Sequence, residues 1–244
     1  MATRTIDLND LVRIRDPQRN APPRVLGAWP GNATSPTRVA LNRIVTSTEK
    51  LLRAAYDIRG NRNFGLIEAG ERLREASGPS LRELNELATA LRTDRDTLQG
   101  EVRRINPAKP YEQCGHWQAA LDLRLLDAFK ALPTAERATT LHQLQNNPML
   151  CWDLADAMLR LPRMVTGLEH SEWQGIKLSL FRTWKHDEFN SLDERMQQVN
   201  FAQNAVRVAV DTAIETVGTR ADVMGHAPAA LAMAQASDLI DWNA

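Results

Sequence analysis

The sequence predicts an all-α protein: a long-helix bundle or coiled-coil hairpin, with an inserted compact helical domain and an extended N-terminal arm. Three observations carry that class. Apolar residues recur at alternating steps of three and four in three stretches, a spacing that averages 3.5 and lines one narrow helical stripe. The sets are Leu41, Ile44, Leu51, Ala55 and Ile58; Leu81, Leu84, Ala88, Leu91, Leu98, Val102 and Ile105; and Phe189, Leu192, Met196, Val199, Val206, Val210, Ala213 and Val217. Thr48, Arg95 and Gln203 fill the remaining slots in register. Helix start and stop signals flank these stretches. No segment shows sustained period-two alternation or an Asn-Gly or Asp-Gly hairpin signal, so no strand is expected.

The first element, 1–36, is an arm. Pro17, Pro22, Pro23, Pro30 and Pro36 exclude a continuous helix and favour extended backbone. Val25, Leu26 and Trp29 give the arm apolar contacts, and it is expected to act as an assembly element, with Trp29 buried against another chain or the helical body. A long helical hairpin follows over 37–106. Ser35 is placed to cap a helix that starts near Pro36 and stops at Gly60-Asn61. A shorter helix is expected over 64–76. Ser77-Gly78-Pro79-Ser80 then reads as a stop and restart, with Ser80 and Glu83 as a capping box for a helix over 81–105.

Residues 107–186 form the compact helical domain. One face joins Trp117, Ala120, Leu121, Leu125, Ala128 and Leu132, and a later helix turns Leu150, Leu154, Met158 and Leu161 inward. Trp173, Ile176, Leu180 and Trp184 mark a further helix. The last segment, 187–244, holds the third long helix, ending at Gly218, and a C-terminal helix over about 221–241 interrupted at Gly225 and Pro228.

Composition narrows function by exclusion. Thirty basic and thirty acidic residues cancel, so the chain has no global charge footprint for nucleic acid or an anionic membrane. No apolar run approaches the roughly 20 residues that cross a bilayer. No leader pattern is visible at the N-terminus, and a cytoplasmic or virion location is expected. Two cysteines, Cys114 and Cys151, are too few for a disulfide framework or a zinc module. Six tryptophans against two tyrosines point to packing anchors between helices or subunits.

The candidate chemistry is thin. Cys114-Gly115-His116 lacks the further ligands of a structural zinc and the base of a catalytic thiol. Glu169, His170 and Glu172, and His186, Asp187 and Glu188, lie at helix starts, where acids complement the helix dipole. No HExxH, phosphate-binding loop or GxSxG occurs. No catalytic residue, cofactor, metal or small-molecule substrate is expected, and the chain is read as a non-enzyme. The stretch Asn85 to Gln99 resembles a repressor-type helix-turn-helix, with Ala88 at the helix contact and Asp94–Thr97 at the head of the recognition helix. Arg92 in place of the turn glycine, Gly100 and Glu101 depart from that pattern.

The run Leu132-Pro-Thr-Ala-Glu-Arg, with Asn147-Pro148, Leu154–Arg160, Met164–Leu168 and Glu172-Trp173, resembles small helical proteins of bacteriophage and prophage gene clusters over about a quarter of the chain. That resemblance implies a phage-associated protein of unassigned role. The expected function is a non-enzymatic structural or assembly protein, a phage virion or scaffold component acting on a protein partner or on itself through helical interfaces. The alternative is a DNA-binding regulator with a degenerate helix-turn-helix at 81–105. Val25, Leu26, Trp29, Arg95 and Gln203 are the expected interaction residues. Arg95 should snorkel to solvent or pair with an acid, and Gln203 should set register or partner number.

Overall fold

The computed structural model describes residues 11–17, 22–236, 239, 240 and 242. Among these it is all-α, with ten α-helices and one two-stranded sheet. The chain divides into two compact units, Met1–Leu98 with Glu194–Ile240, and Gln99–Asp193 with Asp241–Ala244.

In the first unit the arm corrects the expectation of no strand. β1 (Leu11–Ile14) pairs antiparallel with β2 (Arg24–Ala28), with a register shift between Val12 and Arg13. Four and five residues are too few to show a period-two signal. The strands form because Val12 and Ile14 point inward and are buried. Gly27, at φ 123°, takes the left-handed backbone the bend requires, and a Cβ there would meet the Phe201 ring at 3.4 Å. Trp29 leaves the sheet for the core of its own chain. Its ring meets Phe201 edge-on at 5.6 Å, its Nε1 donates to the Asn32 carbonyl at 3.0 Å, and the Arg38 guanidinium lies 5.3 Å from its centre. Leu26 packs on the same core and Val25 is exposed.

α1 (Pro36–Gly60) begins as its signals demand, with the Ser35 hydroxyl accepting from the Arg38 N–H at 3.2 Å. Leu41, Ile44, Thr48, Leu51 and Ala55 are buried along one stripe. α2 (Leu66–Arg104) corrects the expected restart, because it runs unbroken through Ser77–Ser80 with Pro79 inside. A proline in a helix interior costs about 3 kcal/mol. Burial of Leu73, Leu81 and Leu84 on either side outweighs that, at about 1.5–3 kcal/mol per side chain. The polar groups around the proline also find partners: Ser77 Oγ donates to the Arg74 carbonyl at 2.9 Å, and Ser47 Oγ to that of Ser80 at 3.0 Å. α2 also passes straight through Arg92–Arg95, so 81–105 has no turn and is not a helix-turn-helix. Arg95 is half-buried. No acid pairs with it among the described residues, and its Nε is buried without a partner.

The unit is completed by α8 (His186–Val217), of which Glu194 onward belongs here, and by two short helices, α9 (Arg220–His226) and α10 (Pro228–Gln235). The chain breaks at Ala227, before Pro228, and not at Gly225, which lies within α9. Ala202, Ala205, Val206, Ala209, Val210 and Ala213 of α8 pack with the α1 and α2 stripes in one core.

The second unit holds the end of α2 and the start of α8, with α3 (Gln118–Ala131), α4 (Thr134–Asn146), α5 (Trp152–Arg160), α6 (Arg163–Thr166) and α7 (His170–Trp184). The inward face of α3 is displaced from the expected one. Asp122, Leu126 and Phe129 are buried, whereas Trp117, Ala120 and Ala128 are exposed. The face could not be read from hydropathy because its first buried member is a carboxylate. Leu150, expected inward, is exposed as well. Trp242 stacks on Phe189 at 4.7 Å and donates Nε1 to Asp193 Oδ1 at 2.9 Å.

Candidate functional site

On α8 the residues Gln197, Asn200, Gln203, Asn204 and Arg207 recur at helical spacing, which gathers four amides and a guanidinium into one stripe. Sequence reasoning singled out Gln203 alone. The three- and four-residue spacing of amides beside an apolar stripe was the available signal for the rest.

This stripe holds the chain's own C-terminal segment. Asn200 Nδ2 donates to the Ile240 carbonyl at 2.8 Å, while the Ile240 N–H donates to Asn200 Oδ1 at 2.9 Å. A side-chain amide thus pairs with both main-chain polar groups of one residue, as a neighbouring strand would. Arg207 donates from Nε to the Ala234 carbonyl at 3.1 Å and from Nη2 to that of Ala236 at 3.0 Å. These carbonyls end α10, where the helix dipole favours a cation. Gln203 Nε2 donates to the Ala236 carbonyl at 3.3 Å.

Beside these contacts lies a cleft of about 460 Å³, walled by the amide stripe, Phe201, Pro30 of the arm and Leu239 of the tail. It is of the size of small-ligand sites. Gln203 lines it at only 1% exposure, and its Oε1 is buried with no hydrogen-bond partner. Two of the expected interaction elements, the arm and Gln203, therefore meet here, with Trp29 behind Phe201. Arg95, on α2, is not among the lining residues. The cleft offers hydrogen-bond donors, acceptors and one cation, and among the described residues its lining holds no nucleophile and no acid–base group.

An unsatisfied buried acceptor costs about 1–3 kcal/mol. Gln203→Leu removes it, and the Ala236 carbonyl keeps its bond from Arg207. The variant is expected to melt about 2–4 °C higher, measured by circular dichroism, for each 1 kcal/mol recovered. An unchanged or lower melting temperature would show that the oxygen carries no such cost.

A second polar cluster lies in the other unit. Arg160 clamps Asp122 with Nε on Oδ2 at 2.7 Å and Nη2 on Oδ1 at 2.9 Å, and its Nη1 bonds Asp156 Oδ2. Gln118 Nε2 and Tyr111 OH also donate to Asp122, at 2.9 and 3.0 Å. Burial pushes the Asp122 carboxyl up, but the bonds from Arg160, Gln118 and Tyr111 outweigh it and hold the pKa below the usual carboxylate value. Asp156 is displaced the other way: burial raises it more than Arg160 lowers it. Burial, with the bond to Asp122, pushes the Tyr111 hydroxyl up to about 12. The carboxylates bond Arg160 rather than face open space, and the cluster ties α3 to α5. In the same unit Lys177 Nζ donates to the Val102 and Arg103 carbonyls at 3.3 and 3.4 Å, and burial lowers its pKa.

The other sequence candidates stay apart. Cys114 and Cys151 are free and half-buried. Glu169 and Glu172 form a reciprocal capping box at the start of α7. Among the described residues no group of three or more His, Cys, Asp or Glu is placed to hold a metal, and no helix is long and apolar enough to cross a membrane.

One surface of the second unit is apolar. Met149 and Leu150, on the 3-10 turn Pro148–Cys151, and Trp152, at the head of α5, are 52%, 66% and 47% exposed. Trp152 leans on Trp184 at 6.2 Å, and Trp184 Nε1 points to Met149 Sδ at 3.3 Å. Comparison with family models, curated proteins and solved structures yields no match.

Proposed function

We propose that this chain is a non-enzymatic assembly protein that works through a helical interface with a second copy of itself. The observation that supports it is the exposed patch of Met149, Leu150 and Trp152, backed by the half-buried Trp184. Methionine and tryptophan concentrate at protein interfaces, and exposed apolar patches mark such sites. Self-association is favoured over a charged partner because thirty basic and thirty acidic residues cancel, so no net charge keeps two copies apart. The resemblance of 132–173 to small helical phage-cluster proteins of unassigned role supports reading the chain as a virion or scaffold component, cytoplasmic or in the virion.

Leu150→Asp puts a charge in the middle of the patch without touching the core. The wild type is expected to sediment as an oligomer at micromolar concentration and the variant as a monomer. Its stability at low concentration, read by urea unfolding, should differ from the wild type by no more than about 0.5 kcal/mol. A wild type that stays monomeric up to about 100 μM, weaker than the affinity range of stable assemblies, or a variant that assembles equally well, would overturn the reading.

A further inference from the structure

We propose that the α8 cleft is a binding site for the C-terminus of a peptide with an apolar last side chain. The inference is independent of the Trp–Met patch and goes beyond self-assembly.

Two of the polar groups that line the cleft, Gln203 and Arg207, are incompletely used. Gln203 Oε1 is buried, and its amide orientation is set by the bond from Nε2 to Ala236, so the open atom is an acceptor that needs a donor. Arg207 spends Nε and Nη2 on two carbonyls. No ion pair joins it to a carboxylate among the described residues, which leaves Nη1 and the positive charge for a ligand. Those carbonyl bonds also hold the guanidinium in place, so binding a carboxylate costs little side-chain ordering.

A ligand must therefore bring an N–H and an anion close together. Gln203 and Arg207 are four residues apart on one helix, so their Cβ atoms stand about 5–6 Å apart. The last residue of a peptide carries its N–H and its carboxylate within one residue length of about 3.5 Å, a span two long side chains can bracket. The N–H would donate to Gln203 Oε1 and the carboxylate would accept from Arg207. The rest of the lining sets the Phe201 ring, Pro30 and Leu239 beside the uncharged amides of Gln197, Asn200 and Asn204. An apolar terminal side chain suits it, and a second charge does not. Asn200 already shows that this helix face reads main chain, since it pairs with both polar groups of Ile240. The cleft extends that mode from the chain's own tail to a second strand end.

The test is calorimetric titration of the full chain with acetyl-Gly-Gly-Leu bearing a free carboxylate, the same peptide as its carboxamide, and N-acetyl-leucine. The free acid is expected to bind at least about tenfold more tightly than the amide, the scale of one charge-assisted hydrogen bond. Gln203→Leu should weaken the free acid about tenfold while remaining folded. Arg207→Gln should bind acid and amide alike. Leu150→Asp should bind as the wild type does, which separates this site from the assembly surface. Equal binding of acid and amide by the wild type, or no binding of either, would overturn the proposal whether or not Arg207→Gln folds. N-acetyl-leucine binding as tightly as the tripeptide would also overturn it, by reassigning the cleft to free acylated amino acids.

Discussion

Arg160→Met is expected to destabilise the protein by about 3–5 kcal/mol, the cost of breaking a buried ion pair from one side. The Arg160, Asp122 and Asp156 side chains are 5%, 0% and 4% exposed, so removing the guanidinium leaves two carboxylates facing each other out of water. Asp156 Oδ1 already lacks a partner, which leaves the cluster no reserve. Urea unfolding would read the loss directly, and a cost below about 1 kcal/mol, the range of an exposed pair, would show the cluster to be solvated. Replacing Arg160, Asp122 and Asp156 together by Met, Leu and Ala should recover most of the loss, because no uncompensated charge then remains buried.

The pH dependence of the same cluster has a sign for each acid. Asp122 has a lowered pKa in the folded state, so its contribution is complete above the ordinary carboxylate range and is lost as pH falls through the lowered value. Asp156 has a raised pKa, so its contribution is greatest at low pH and is lost as pH rises through the raised value. Wild-type stability should therefore fall on strong acidification as Asp122 takes a proton. Asp122→Asn should remove that acid limb while lowering stability at neutral pH.

Trp29→Ala carries the second large effect. Truncating a buried tryptophan costs about 3–5 kcal/mol. Here the ring sits edge-on to Phe201, carries the Arg38 guanidinium and donates to the Asn32 carbonyl. At about 2–4 °C per kcal/mol in a chain of this size, the midpoint should fall by about 10 °C. Val25→Ala, a few residues earlier but exposed, should change stability by less than about 0.5 kcal/mol. If Trp29→Ala melted like the wild type, the arm would contribute nothing to the folded core. Because Pro30 and Phe201 both wall the α8 cleft, the same variant is also expected to weaken peptide binding.

The helices were legible in the chain because their causes are local. The three stripes spaced by threes and fours are buried as their periodicity requires, from Leu41 to Ala55, Leu81 to Val102 and Phe189 to Ala213. Ser35 with Pro36, and Glu169 with Glu172, cap where their short-range chemistry places them. Gln203 stood out as one polar residue in an apolar run and proves to line the cleft.

Everything that failed to show in the chain depends on a partner distant in sequence. β1 and β2 are each too short to signal alone and exist through each other and the core beneath Val12 and Ile14. Pro79 reads as a helix stop from its neighbours, yet burial of Leu81 and Leu84 carries α2 through it. Asp122 reads as a solvent residue until Arg160, thirty-eight positions away, makes its burial affordable. The cleft needs the arm, α8 and the tail together. Periodicity and capping act within a turn or two of the backbone, so sequence spacing records them. Charge pairing, strand pairing and cavities arise between segments that only folding brings into contact.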